Sequence, residues 1–395
     1  MTFPRPFAGL DRRIAWLRAI LLSACFLGML FSEKLWLNTR DYPLLKITPG
    51  FPVLPAPLDK IFFIALLLSL VLAGWFHRRA VLFFLFGTLF LFLEDQNRGQ
   101  PWFYMYWVML WLTLLPAPVA LAACRCALTA VYLWSGIQKC HATFFERVPV
   151  WLSAPAANWH LPGGHELVRY AIAGAPFIEI FIGLAFWIPR LRKLALGIVI
   201  AVHVLALLLL GPTGLNYNLV VWPWNLAMIA LALVLFAAAP QARLKPTFTD
   251  LRQSKPALTV VALFSLLPIL SYAGMWDSYF SFSLFAEHEA KADMFMSEAM
   301  TKRLPEPMRK QLHQLPAGAY NPQVQGPYAF GFQVWAYEQL GVPAISEPRS
   351  FRSVYNFLYK TYAAAPTDLH MLISPRSGPI TFYEAHNSFA LVPNK

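Results

Sequence analysis

Over its first two thirds the chain alternates long apolar runs with short polar breaks. A window of about 19 residues, enough for a helix to cross a bilayer core of roughly 30 Å, picks out nine runs: 14–31, 61–76, 80–93, 102–115, 120–137, 170–188, 194–211, 219–239 and 256–275. The third and fourth are short. After Trp276 the pattern changes. Residues 287–303 are charged and read as helical, "YAFGFQVWAYEQLGV" and "SFRSVYNFLYKTYA" carry helical apolar spacing, and "LHMLISPRSGPITFYEA" reads as strand, turn, strand. The expected fold is an all-α polytopic membrane bundle of about nine transmembrane helices, residues 1–275, followed by a small C-terminal extracytoplasmic α+β domain, residues 276–395.

Composition sharpens this. The chain is 58% hydrophobic and only 13% charged, about half the charge of an ordinary soluble domain. The formal net charge of +12 does not point to nucleic acid, because the basic residues sit in short loops between apolar runs. Arg5, Arg12 and Arg13 precede the first run, and His77, Arg78 and Arg79 separate the second from the third. Arg125 opens the fifth, Arg190, Arg192 and Lys193 separate the sixth from the seventh, and Arg243, Lys245, Arg252 and Lys255 precede the ninth. With nine crossings all these loops share one side, which predicts a cytoplasmic N-terminus and a C-terminus outside. The first run lacks an A-x-A cleavage site and is expected to stay as an anchor, in a bacterial inner membrane with the lipid bilayer as first partner. The four cysteines give no disulfide framework, and Cys124 and Cys126 alone do not make a metal site. No internal repeat is present, which places a transporter last among the functional classes.

Polar side chains inside apolar runs carry the candidate chemistry. In "VYLWSGIQKCHATFF", Lys139 shares a helical face with Tyr132, Ser135 and Gly136. Such a lysine either snorkels to the outer headgroups or faces protein as a base. Glu179 and His203 fall near the middle of the sixth and seventh runs, at about 15 Å depth, where they form either a catalytic set with Lys139 or a structural pair. Asn225 lies in "NLVVWPWNLAM", in which Pro223 is expected to free a backbone carbonyl and Trp222 and Trp224 to add indole donors. Asn216, Tyr217 and Asn218 stand at the outer mouth. In "LEDQNRGQPWFYMYW", Asp95, Gln96 and Arg98 either bind ligand or shape a turn, and the aromatics from Trp102 onward are expected as an interfacial belt or a stacking platform. Lys139, His203 and Glu179 are thus the candidate catalytic residues. Asp95, Gln96, Arg98, Trp102, Tyr132, Asn216, Asn218, Trp222 and Asn225 are the candidate ligand-binding residues.

Three stretches in this order, "FLEDQNRGQPWFYMYWVMLWLTL", "AVYLWSGIQKCHATFFERVPVWLSAP" and "PFIEIFIGLAFWIPRLRKLALGIVIAVHVLALLLLGPTGLNYNLVVWPWN", resemble the vitamin K-dependent gamma-carboxylase-like (HTTM) proteins, which shade into DoxX-like membrane proteins. The likeness runs over about residues 10–240. It implies that Lys139 stands where the carboxylases keep the base that deprotonates reduced vitamin K, and that His203 lies on a helix where the family also shows a histidine. The carboxylases commonly carry two adjacent lysines where this chain has Gln138 and Lys139, and a far larger lumenal region, so peptide carboxylation is outside what the resemblance implies. Quinone-linked oxidoreductase or carboxylase-like epoxidase chemistry, with a quinone or naphthoquinone as cofactor in an outward-facing cavity, is the leading expectation. The rival is a non-enzymatic scaffold or assembly factor whose residues 276–395 bind an envelope protein.

Overall fold

A computed structural model describes residues 11–160, 162–237, 239, 242–316, 326–384 and 387–390; Arg5 lies outside them. Every apolar run is helical: α1 Arg12–Phe31, α2 Leu58–Leu72, α3 His77–Glu94, α4 Pro101–Leu112 and α5 Ala117–Lys139. After α6 Ala142–Ser153 come α7 Gly164–Ala173, α8 Ala175–Ala185, α9 Arg192–Leu210, α10 Val221–Phe236, α11 Leu244–Arg252 and α12 Lys255–Leu266, which continues as a 3-10 helix over Leu267–Ala273.

Length corrects the count of nine. Among the described residues, four helical segments are long and apolar enough to cross a membrane: α1, α5, α9 and Lys255–Ala273. A fifth is reached if α7 and α8, bent by 57° at their junction, count as one. The bend falls where Gly174 meets Pro176, a residue without an N–H to continue the ladder. The helices α2, α4 and α10 have 15, 12 and 16 residues, and α3 carries Arg78, Arg79 and Glu94 within its 18. Pro223 does not break its helix. It lies in the first turn of α10, where a missing N–H goes unused.

Helices α5 and α8 make the closest approach, and glycines permit it. A Cβ on Gly136 would sit 2.6 Å from the Pro176 carbonyl oxygen and 2.8 Å from Ile180. A Cβ on Gly183 would instead meet the Leu133 side chain, with Cγ and one methyl at 2.8 Å. Gly136→Ala is therefore expected to lower stability by about 1–3 kcal/mol, and Gly183→Ala by clearly less, because a leucine side chain can rotate and a backbone carbonyl cannot. Thermal unfolding of the two variants in one detergent checks the order.

The basic loops gather at one end. Arg18 donates to the Thr113 carbonyl at 2.8 Å, and His77 Nε2 lies 3.0 Å from Thr113 Oγ1. Arg13 donates to the Ala237 carbonyl, Arg125 to that of Leu235 and Arg192 to that of Ala239, at 3.1, 3.0 and 3.0 Å.

The other end carries an antiparallel sheet of six strands in the order β2-β3-β1-β4-β5-β6. The strands are β1 Lys291–Met296, β2 Leu312–Gln314, β3 Tyr328–Phe330, β4 Leu369–Ser374, β5 Thr381–Glu384 and β6 Asn387–Ala390. Helices α13 Phe332–Leu340 and α14 Pro348–Tyr362 complete the unit, so helix and sheet mix there as the sequence suggests. Of the helix expected over 287–303 only the turn Glu298–Thr301 forms; residues 291–296 are instead β1, since "KADMFM" buries Ala292, Met294 and Met296 at a period of two. Met294 pairs with Met371 and Met296 with Leu369 of β4. The unit rests on the bundle: Gln100 donates to the Pro343 carbonyl at 3.0 Å, the Ile345 amide to Asn97 Oδ1 at 3.1 Å, and Arg349 to Gln96 Oε1 at 2.6 Å.

Candidate functional site

A cavity of about 380 Å³ opens among α5, α6, α8, α9 and α10, with Leu284 and Phe285 closing it from the sheet side. Its walls are aliphatic and aromatic, among them Val131, Phe144, Ile178, Leu205, Trp224 and Met228. Five polar side chains interrupt them: Tyr132, Ser135 and Lys139 of α5, Glu179 of α8 and His203 of α9, joined by Asn225 of α10. Helical spacing explains the first three, since residues three and four apart lie on one face.

The polar groups divide into two connected sets. Lys139 Nζ donates to Glu179 Oε2 at 2.8 Å, to Ser135 Oγ at 2.6 Å and to the Ser135 carbonyl at 3.2 Å. All three ammonium donors are engaged, so the side chain does not snorkel. Its exposure is 7% and that of Glu179 14%. In the second set, His203 Nδ1 lies 2.6 Å from Asn225 Oδ1 and His203 Nε2 2.7 Å from the Tyr132 hydroxyl. The Asn225 amide nitrogen donates to the Val221 carbonyl at 2.7 Å, which turns its oxygen to the imidazole. Nδ1 of His203 must then carry a proton, and in the neutral ring Nε2 accepts from Tyr132. Glu179 and His203 share the cavity, but each is bonded to other partners, so the direct carboxyl–imidazole pair expected from their depth is absent.

Seven of the expected ligand-binding residues lie off this cavity. Asp95 pairs with Arg40 and accepts from the amides of Leu45 and Asn97. Arg98 is fully buried, pairs with Glu94 and donates to the carbonyls of Leu35, Leu91 and Trp36 and to Asn38 Oδ1. Gln96 holds Arg349 and the Lys46 carbonyl. These groups lock a turn against residues 34–54. Trp102, Phe103 and Tyr106 are buried, Trp102 packing on the other two and Phe103 on Trp36, and they form neither a belt nor a platform on the cavity. Trp222 packs on Gly211. Asn216 and Asn218 adopt left-handed backbone, with φ of 46° and 53°, a conformation asparagine tolerates better than most residues. Trp102 and Asn218 line a second, smaller chamber beside the first, together with Trp224, which borders both.

Helix α6, which forms a hairpin with α7, is the part of the site that the apolar runs do not reveal. Phe144 and Val148 of α6 and Ile172 of α7 form a separate small core with Leu209 of α9, roofing the cavity. The signal in the sequence is the apolar spacing of Phe144, Val148, Trp151 and Leu152 within a stretch too polar to count as a crossing.

No family model, no curated protein and no solved structure matches the chain.

Proposed function

We propose that the protein is an integral membrane protein of the gamma-carboxylase-like kind that binds a lipophilic, quinone-like molecule in this cavity and moves a proton at its polar floor. The observation that carries the reading is the Lys139–Glu179 pair, bonded at 2.8 Å on the wall of an otherwise apolar chamber. An apolar volume with a few convergent polar groups is the ordinary form of a small-molecule site, and a flat ring with oxygens at its edge fits walls and floor of this kind. In this reading the long apolar helices cross the membrane and the basic loops, gathered at one end, face the cytoplasm. The sheet unit then lies outside a bacterial inner membrane.

A quinol would supply an acidic O–H. The Glu179 carboxylate takes up that proton and passes it on to solvent, while the Lys139 ammonium pairs with the quinol oxygen left negative. Ser135 keeps the ammonium oriented. Tyr132 donates its hydroxyl proton to His203 Nε2, and His203 is held in turn by Asn225, which leaves the tyrosine oxygen to accept from the ligand. Lys139 therefore acts with Glu179 as a unit, and its charged form is the one the geometry supports.

Titrating purified protein with a short-chain naphthoquinone tests this, with tryptophan quenching as the readout. Saturable binding that weakens at least about tenfold in Lys139→Ala, with quinol-dependent proton release lost, is the expected result. Unchanged affinity and unchanged proton release in Lys139→Ala would refute it.

A further inference from the structure

The second chamber, about 240 Å³, lies between the outer ends of the bundle helices and the sheet unit. It shares Val221, Trp224, Leu284 and Phe285 with the apolar cavity. Its lining differs in kind. Trp102, Trp151, Trp224, Tyr217, Tyr279 and Phe285 supply six aromatic rings, and Glu287 and Glu289 supply two carboxyl groups; among the described residues no lysine, arginine or histidine contributes to it.

The two carboxyl groups are not alike. Glu287 is held by Lys291 at 2.7 Å, with Arg147 at 3.8 Å. Glu289 accepts from Ser283 Oγ at 3.1 Å, and no ion pair holds it among the described residues. Burial raises its pKa above the ordinary carboxylate value, with Glu287 adding to the rise and Ser283 and Lys291 opposing it.

We propose that this chamber binds an organic ammonium group, with Glu289 as its countercharge and the tryptophan and tyrosine side chains as its walls. Aromatic faces attract a desolvated alkylammonium through their quadrupole, and a carboxylate adds direct charge pairing. The ammonium is carried either by a free small molecule or by a lipid whose tail continues past Trp224 into the apolar cavity. The proposal stands whether or not a quinone occupies that cavity.

The test uses the full-length protein in a non-ionic maltoside detergent and follows tryptophan fluorescence. Choline is titrated against 3,3-dimethylbutan-1-ol, its neutral counterpart of the same shape. Choline is expected to bind at least about tenfold more tightly, the order of magnitude of a cation held by aromatic faces. Glu289→Gln is expected to remove most of that preference. Dodecyltrimethylammonium binding more tightly than choline assigns the group to a lipid, and equal binding assigns it to a small solute. Equal affinity for choline and the neutral alcohol, or no response to either, would overturn the proposal without recourse to any variant. So would a folded Glu289→Gln protein that keeps the full preference.

Discussion

Replacing Lys139 with methionine is expected to destabilise the bundle by about 3–5 kcal/mol, the usual consequence of removing one member of a buried ion pair. The loss comes from the partner left behind. Glu179, 14% exposed on an apolar wall, would keep a carboxyl with no cation beside it. Lys139→Met/Glu179→Leu removes both charges and is expected to recover most of the lost stability, since an apolar pair of similar volume often replaces a buried ion pair without penalty. Neither variant should release protons from a quinol. Denaturant unfolding of the two proteins, read with the proton assay, separates the structural part of the pair from its chemical part. A single variant as stable as the parent would contradict the geometry of the pair.

The second large effect belongs to a residue outside the cavity. Arg98 is fully buried, pairs with Glu94 and reaches four further oxygen acceptors on residues 35–38 and on Leu91. Glu94 in turn accepts from the Leu54 amide at 2.6 Å and from Asn38 Nδ2 at 3.0 Å. Arg98→Ala leaves these carbonyls and a buried carboxylate unmatched, and a loss of at least about 3–5 kcal/mol is expected. Arg98→Lys keeps the charge but lacks the planar fork that serves several acceptors at once, so it should fold with reduced stability. Because the site lies off the apolar cavity, naphthoquinone affinity of the folded Lys variant is expected to stay within about twofold of the parent. A selective loss of that affinity would return Arg98 to the binding site.

The two residues show what was legible in the sequence. Lys139, Glu179, His203 and Asn225 could be brought together from one sequence because each sits in an apolar run, where depth follows from the helical rise and a polar group has few places to face. Tyr132 followed from its spacing to Lys139. The partner of each group was not legible. Glu179 was equally placed for His203 or Lys139, and the choice is made by the close approach of α5 and α8 at Gly136. The "LEDQNRGQ" stretch misled for a related reason, since its charges are matched by Arg40, Asn38 and the carbonyls of residues 35–46, about 50–60 positions away. Hydropathy located every helix of the bundle core but overstated the length of several. It passed over α6, whose amphipathic sequence is too short and too polar to register as a crossing, and reached only the last turn of α7. In the outer unit, the charged residues from Glu287 onward concealed a strand whose alternating methionines carry the core.

The claim that the cavity holds a lipophilic molecule is tested most directly by mass spectrometry of the organic extract of the purified protein, beside that of Ala206→Trp, which fills the cavity from α9. The account predicts a quinone-like compound in near-stoichiometric amount from the parent and its loss from the filled variant. The same lipophilic molecules in the same amounts from both proteins would contradict it.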